Sequence, residues 1–175
     1  MRDFSTESGV NHHHQVATFA AGCFWSAQLH FECVSGVLST QVGFINGRTR
    51  NPTYEAVCTD TTGHALAIQI LFDDTAITYE DLLDSFWAMG STVSHNDEDL
   101  GSPFRSGIYF HAMKQRAAAL KSKAKQCALH PNDDILTEIE PAGEFYPADE
   151  YHQRYLEKGG QCSDHSDSIP CCGKK

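Results

Sequence analysis

Cysteine is the residue type best suited to chemistry in this chain, which has seven of them among 175 residues. In a reducing compartment cysteines more often serve catalysis or metal binding than a disulfide framework, and an odd number leaves at least one outside any internal pair. Cys23 is the candidate nucleophile, because it follows a predicted buried strand and Ala21-Gly22 and precedes a predicted helix. The unpaired N–H groups and positive dipole end of a helix start favour a thiolate. On this local sequence alone, a buried core thiol is the simpler interpretation.

Three other cysteines lie in a polar, Ser-rich stretch after Gly159-Gly160, namely Cys162, Cys171 and Cys172. A mobile tail is what a resolving cysteine needs, because that cysteine must travel between a nucleophile and a reductant. The alternative is a zinc site, in which Cys162 and His165 would join the last two cysteines as ligands. The irregular spacing disfavours zinc, and a Cys23–Cys162 disulfide formed during turnover would separate the two interpretations.

The remaining cysteines, Cys33, Cys58 and Cys127, are expected to be structural. Cys127 falls on a predicted helix rich in Ala and Lys, where we expect a half-buried thiol.

An α+β domain is predicted to position these residues. Strands and helices intermix without strict βαβ regularity, which favours a two-layer α/β sandwich with a mixed sheet. The long loops at 48–63 and 91–106 are interpreted as functional. We divide the chain into a flexible N-terminal arm (1–15), one domain (16–158) and a mobile cysteine-bearing tail (159–175). The predicted strands are 15–20, 37–45, 64–72, 107–111 and 135–139, and the predicted helices are 23–32, 78–90, 114–129 and 149–158.

Composition narrows the class of protein further. With 41% hydrophobic and 21% charged residues, the chain has the composition of an ordinary soluble domain. It has no apolar run of about 18 residues and no hydrophobic signal segment, so we expect a cytoplasmic protein that does not span a membrane. A net charge of −10 disfavours nucleic acid and anionic membranes as partners. We expect a monomer without a cofactor or a bound metal.

Several motifs resemble those of a known family. Gly22-Cys23-Phe24-Trp25 is similar to the GCFW signature of the type A peptide methionine sulfoxide reductases. Further motifs of that family follow in the same order over roughly 16–160. They are NPTYEAVC at 51–58, TGHA at 62–65, YEDLLDSFW at 79–87, RS at 105–106 and FYPADEYHQRYL at 145–156.

The resemblance implies a ferredoxin-like α+β fold and a substrate site. It implies that Cys23 attacks the sulfoxide sulfur and that Phe24 and Trp25 surround the S-methyl group. Tyr54 would donate its hydroxyl to the sulfoxide oxygen, and Asp99 would be the buried acid of the second loop. The products would be methionine and a Cys23 sulfenic acid.

The resemblance also implies a relay and a reductant. Cys162 would resolve the sulfenic acid first and Cys171 second, with Cys172 interchangeable. A thioredoxin-like protein would then reopen the disulfide by exchange. The substrate would be methionine S-sulfoxide, free or in proteins.

Two departures from the family pattern fall at the substrate site. Leu66 stands where the family has its main proton donor, a glutamate, and Phe104 stands where it has a tyrosine. Losing a positioned general acid costs about 10² to 10⁴ in rate, and an unmet hydrogen bond costs about 1–3 kcal/mol. Reductase activity could be weakened, or the substrate could differ. Alternatively, the proton could come from another group: Tyr54, Asp97, Glu98 or Asp99.

Two other functions compete with a reductase. A non-catalytic protein that binds methionine or its sulfoxide, or that senses redox state, would keep the pocket without turnover. A papain-like protease would pair Cys23 with His64 or His152, but the sequence beside Cys23 does not resemble that family. His64 is expected to serve packing or hydrogen bonding.

Overall fold

A six-stranded sheet organises the part of the chain that the computed structural model describes, residues 13–90 and 101–160. The strands lie in the order β5-β4-β1-β3-β2-β6. All neighbouring strands are antiparallel except β4 and β5, so the sheet is mixed. The strands are β1 (His14–Ala21), β2 (Val37–Ile45), β3 (Ala65–Asp73), β4 (Ser106–Phe110), β5 (Glu138–Pro141) and β6 (Tyr146–Pro147).

Four helices and one short 3₁₀ turn connect the strands. The third helix begins with the capping box that the sequence predicts: the Thr78 hydroxyl accepts from the Asp81 N–H (3.1 Å), and the Asp81 carboxylate accepts from the Thr78 N–H (3.2 Å). The helices are α1 (Phe24–Glu32), α2 (Tyr54–Cys58), α3 (Tyr79–Trp87) and α4 (Met113–Leu129), and the 3₁₀ turn is Glu150–His152. No helix within the described ranges is long and apolar enough to cross a membrane.

The central four strands have a recognisable topology. They lie in the order β4-β1-β3-β2, with α1 following β1 and α3 following β3. This βαββαβ order is the ferredoxin-like arrangement. The predicted α+β class with a mixed sheet is therefore confirmed.

The two faces of the sheet carry different side chains. Phe19 packs against Phe31 and Phe86 on the face covered by helices, with ring centroids 5.6 and 5.1 Å apart. Burying side chains of this size stabilises the fold by about 1.5–3 kcal/mol each. The other face is lined mainly by small residues such as Ala65 and Ala67. Because strand side chains alternate, Leu66 points to the helix-covered face.

Several predicted boundaries differ from the structure. The loop at 48–63 contains α2, which is too short to show a helical period. Thr53 is its N-cap, and the Thr53 hydroxyl accepts from the Ala56 N–H. The predicted strand at 135–139 is β5, displaced toward Pro141. The predicted helix at 149–158 is wrong: only the 3₁₀ turn forms, because Arg154 has a left-handed φ of 54°. Finally, β1 begins at His14, inside the predicted arm.

Candidate active site

Cys23 lies where the sequence places it, between a strand and a helix. β1 ends at Ala21, Gly22 turns the chain with a φ of +74°, and Cys23 is the N-cap of α1. Its carbonyl accepts the first helical bond, from the Ala27 N–H at 3.2 Å. The thiol is half-buried and stands at the positive end of the helix dipole, where the thiolate form is favoured.

Five aromatic rings meet next to Cys23, and we call them the aromatic cluster: Phe24, Trp25, Tyr54, His152 and Tyr155. Trp25 stacks on Tyr155 with ring centroids 4.1 Å apart, and Tyr54 lies 4.3 Å from His152. Phe24 and Trp25 lie 5.8 and 5.9 Å from Tyr54. The structure therefore brings together the three aromatic residues that the sequence predicts around the substrate.

Apart from His152 in the disfavoured protease alternative, the sequence analysis assigned no role to His152 or Tyr155. Both belong to the FYPADEYHQRYL motif, so the motif was the signal that could have found them. The side chain of Gln153 fixes their segment to β2, because it accepts from the Val42 N–H (3.0 Å) and donates to the Val42 carbonyl (2.9 Å). The Gln28 side chain of α1 accepts from the Arg154 N–H at 2.7 Å. Two glutamines thus hold the C-terminal segment over the start of α1.

The aromatic cluster contains polar atoms that are buried and unsatisfied. Trp25 Nε1 and His152 Nδ1 have no hydrogen-bond partner among the described residues. A buried polar atom without a partner costs about 1–3 kcal/mol, so these atoms favour a ligand that can bond to them. Burial lowers the pKa of His152, and the carboxylates of Glu55 and Asp149 oppose that shift. The imidazole is therefore neutral at pH 7.

A group of apolar residues lies at the start of β3, where the 101–105 segment meets the strand, and we call Leu66, Pro103 and Phe104 the Leu66 wall. Leu66 is 1% exposed and belongs to the same core cluster as Phe24 and Phe44. The β1–β3 ladder ends at Ile68, and the Leu66 N–H donates to the Pro103 carbonyl instead (2.8 Å). Phe104 is 45% exposed. The loop after residue 100 therefore reaches the start of β3, as its predicted role requires.

Hydrogen bonds hold the loops that precede the Leu66 wall. His64 is buried, its Nδ1 accepts from the Gly47 N–H (3.0 Å), and its Nε2 donates to the Thr49 carbonyl (2.7 Å). Arg105 donates to the carbonyl of Gly63 at 3.0 Å and to the Glu138 carboxylate at 2.8 Å. The prediction that His64 serves hydrogen bonding and packing is confirmed.

Some predicted site residues lie outside the described residues: Asp97, Glu98, Asp99, Cys162, His165, Cys171 and Cys172. Their roles stay predictions. Within the described residues, no three His, Cys, Asp or Glu side chains are grouped so that they could hold a metal ion. Cys58 and Cys127 are exposed thiols, so the expectation of a half-buried Cys127 is wrong: this position of α4 faces outward.

The fold and the residues gathered around Cys23 agree with one class of proteins in the comparisons, the reductases of oxidised methionine. A family model described as peptide methionine sulfoxide reductase matches residues 15–171. The chain is 47% identical over 148 residues to the enzyme MsrA of Methanothermobacter thermautotrophicus, an alignment that covers 83% of this chain and 88% of that one. It is 46% identical over 163 residues to the rice reductase A2-1, covering 91% and 87% of the two chains.

Solved structures give the same result. Methionine sulfoxide reductase A of Corynebacterium diphtheriae has a TM-score of 0.79 at 31% identity, covering 95% of this chain and 85% of that one. Reduced Mxr1 of Saccharomyces cerevisiae has a TM-score of 0.75 at 26% identity, covering 96% and 94%. The chain belongs to the peptide methionine sulfoxide reductase family and is an oxidoreductase of its type A. The resemblance seen in the sequence motifs is confirmed.

Proposed function

We propose that this chain reduces methionine S-sulfoxide, free or in proteins, with the Cys23 thiolate, and that its rate is weakened at the proton-donating step. The observation that carries the proposal is the position of Cys23 at the start of α1, beside an aromatic cluster that contains unsatisfied polar atoms. Phe24 and Trp25 supply an apolar surface for the S-methyl group. Leu66 stands where the family has its acid, and a leucine has no proton to give.

The sulfoxide oxygen needs donors that the Leu66 wall lacks. Trp25 Nε1 always carries a proton, and a neutral His152 donates through whichever ring nitrogen is protonated. The Tyr54 hydroxyl is a third donor. The centroid of the Tyr54 ring lies 4.3 Å from that of His152. We assign the oxygen to this side of the site, and we keep Asp99 as the acid of the second loop.

The reaction balances with these groups. The Cys23 thiolate attacks the sulfoxide sulfur, and the oxygen takes up a proton. Transfer of the oxygen to the Cys23 sulfur leaves methionine and a sulfenic acid, so the substrate is reduced by two electrons and the cysteine is oxidised by two. The Cys162 thiol then condenses with the sulfenic acid to form a Cys23–Cys162 disulfide and releases water. The Cys171 thiolate attacks the Cys162 sulfur, so that a Cys162–Cys171 disulfide forms and Cys23 leaves as a thiolate. A thioredoxin-like dithiol returns the thiols by exchange.

The course of the chain supports this relay. The Gly160 N–H donates to the Tyr155 carbonyl (2.9 Å), and Tyr155 stacks on Trp25, two residues from Cys23. Gly160, the last described residue, therefore lies near the aromatic cluster, and Cys162 follows it two positions later in the sequence.

We also propose that the chain acts as a monomer in the cytoplasm. Among the described residues, the exposed large apolar side chains are spread over β2, α4, one loop and the 3₁₀ turn, although α4 carries three of them: Met113, Leu120 and Leu129. A reducing compartment keeps the exposed thiols of Cys58 and Cys127 reduced.

A single-turnover assay tests the function. The reduced full chain receives one equivalent of the S- or the R-sulfoxide, free or in a peptide, and methionine and thiols are counted. We expect one methionine per chain from the S-isomer and a loss of at least 10³-fold in rate for Cys23→Ser.

Cys127→Ser is the matched control, because it removes an exposed thiol from α4, away from the aromatic cluster, and it should behave as the native chain does. Methionine formation that survives in Cys23→Ser would contradict the proposal. Sulfoxide binding without turnover, unchanged by Cys23→Ser, would instead favour the non-catalytic role.

A further inference from the structure

Two carboxylates lie beside the buried imidazole of the aromatic cluster. Glu55 is in the first turn of α2, directly after Tyr54, whose ring centroid lies 4.3 Å from that of His152. Asp149 is the N-cap of the 3₁₀ turn, and its carbonyl accepts from the His152 N–H at 2.9 Å. Burial lowers the pKa of His152 and both carboxylates oppose that shift, so their charges act on the ring. Two different elements of the fold therefore bring negative charge to the cluster.

Neither carboxylate is used inside the fold. Glu55 and Asp149 are exposed and have no ion-pair or hydrogen-bond partner among the described residues, and Asp149 forms no side-chain bond to the turn that it caps. Arg154, by contrast, pairs with Glu32 at 3.1 Å. The cation of Lys158 opposes the two carboxylates at the imidazole, so a net negative charge remains there within the described part of the chain.

The same imidazole has an unmet bonding capacity. His152 is 6% exposed, and its Nδ1 has no hydrogen-bond partner in the described ranges. The Nε1 atom of Trp25, whose ring centroid lies 5.8 Å from that of His152, is also buried without a partner. A substrate that bonds to these atoms must come close to the ring on which the two carboxylates act. The negative charge therefore lies beside the place of the substrate.

We propose that Glu55 and Asp149, which we call the acidic rim, select methionine S-sulfoxide in peptide segments that carry Lys or Arg near the oxidised residue. This inference rests on the proposed function, because it adds a preference among the substrates of the same site. A cationic side chain near the sulfoxide is attracted by both carboxylates, whereas an acidic side chain is repelled. The net charge of −10 acts in the same direction over longer distances and speeds the association of cationic segments.

Three acetylated and amidated pentapeptides test the proposal on the full chain. Each has methionine S-sulfoxide at its centre and glycine on both sides, and its two outer residues are lysine, glutamine or glutamate. In an extended peptide, residues two positions apart point to the same side, so the outer residues share the side of the sulfoxide. With a dithiol reductant at low ionic strength, we expect kcat/KM to fall from lysine through glutamine to glutamate, by about tenfold in all. In about 0.5 M NaCl the difference should shrink to about twofold, because salt screens exposed charges.

Charge variants show whether the acidic rim causes this preference. Glu55→Gln and Asp149→Asn keep the size of each side chain, and each should lower the ratio of the lysine to the glutamate peptide about threefold. Lysine at both positions should reverse the order of the peptides. A merely structural role would lower all three rates together, and it could not reverse their order.

Glu140→Gln is the matched control for these variants. Glu140 is exposed on β5, at the opposite edge of the sheet from β6, so its neutralisation should keep the native ratio. A native ratio in both Glu55→Gln and Asp149→Asn overturns the proposal.

Binding measurements separate this inference from the proposed function. Cys23→Ser lacks the attacking thiol, so the dissociation constants of the three peptides can be measured without turnover. The lysine peptide should bind about tenfold more tightly than the glutamate peptide at low ionic strength. If it does not bind more tightly, the acidic rim is overturned, whether or not methionine forms. If it does, and the native chain forms no methionine from any of the peptides, the proposed function alone is contradicted.

Discussion

The aromatic cluster and the Leu66 wall follow the family pattern to different degrees. All five residues of the cluster match the motifs that resemble those of the family. The cluster also contains unsatisfied polar atoms at Trp25 and His152. The wall has exchanged a glutamate for the buried Leu66 and a tyrosine for the exposed Phe104. In the function we propose, the aromatic cluster therefore receives both the S-methyl group and the hydrogen bonds of the oxygen, and the Leu66 wall supplies apolar contact without a proton donor.

The strongest test of this division restores the acid. We expect Leu66→Glu to raise single-turnover reduction of methionine S-sulfoxide by about 10²-fold, because a positioned general acid contributes about that much. The same change should lower the free energy of unfolding, since a carboxyl group replaces a core leucine. Single-turnover rates and urea denaturation measure the two effects.

Leu66→Gln is the matched control for that change. Glutamine has the size and polarity of glutamate but no proton to transfer. If the single-turnover rate rises equally in Leu66→Glu and Leu66→Gln, the native chain lacks a hydrogen bond at this position rather than a general acid. If neither gains, the Leu66 wall does not limit the rate.

A smaller effect should follow from removing a donor in the aromatic cluster. Tyr54→Phe keeps the ring that packs on Phe24 and His152 but loses the hydroxyl, so we expect a loss of about tenfold in single-turnover rate. Tyr146→Phe is the control, because its hydroxyl donates to Glu144 on the surface. In Leu66→Glu the Tyr54→Phe loss should shrink, and an undiminished loss there would contradict the idea that Tyr54 compensates for the missing acid.

The smallest expected effect is a dependence of stability on pH, which arises in the aromatic cluster and not in the Leu66 wall. Burial lowers the pKa of His152 in the folded chain, so below about pH 6.5 the unfolded chain binds a proton that the folded chain does not. The free energy of unfolding should therefore be highest above that pH. It should fall as the pH drops toward the pKa that His152 has in the folded chain. His30 and His111 contribute in the same direction, because burial also lowers their pKa.

Denaturation between pH 5 and 8 measures this dependence. His152→Asn should reduce its slope, whereas the same change at the exposed His14 should leave it as it was. If the free energy of unfolding changes with pH equally in the native chain and in His152→Asn, burial in the aromatic cluster does not oppose protonation of His152.

Much of the fold could be predicted because local patterns agree with it. β2 runs over Val37–Ile45 as its alternation predicts, and α3 starts at the Thr78 capping box. The predicted helix at 149–158 failed because tertiary contacts decide that segment: Gln153 bonds to β2 and Arg154 adopts a left-handed backbone. No helical propensity reports such contacts.

The site shows the same division. Cys23 and its neighbours lie in one continuous motif, so their placement could be predicted from the order of strand and helix. The meeting of Trp25 with Tyr155 could not, because it depends on how the chain returns over α1 after β6.

The side-chain amide of Gln153 does for Val42 what another strand would do. It offers a carbonyl to the Val42 N–H and an N–H to the Val42 carbonyl, so it stands in for a peptide unit just beyond the two residues of β6. An open strand edge invites pairing with a second molecule, and this amide closes the edge at that point. The same side chain anchors the segment that carries His152 and Tyr155. Gln153 therefore covers this part of the strand edge and, together with Gln28, holds the segment that shapes the site.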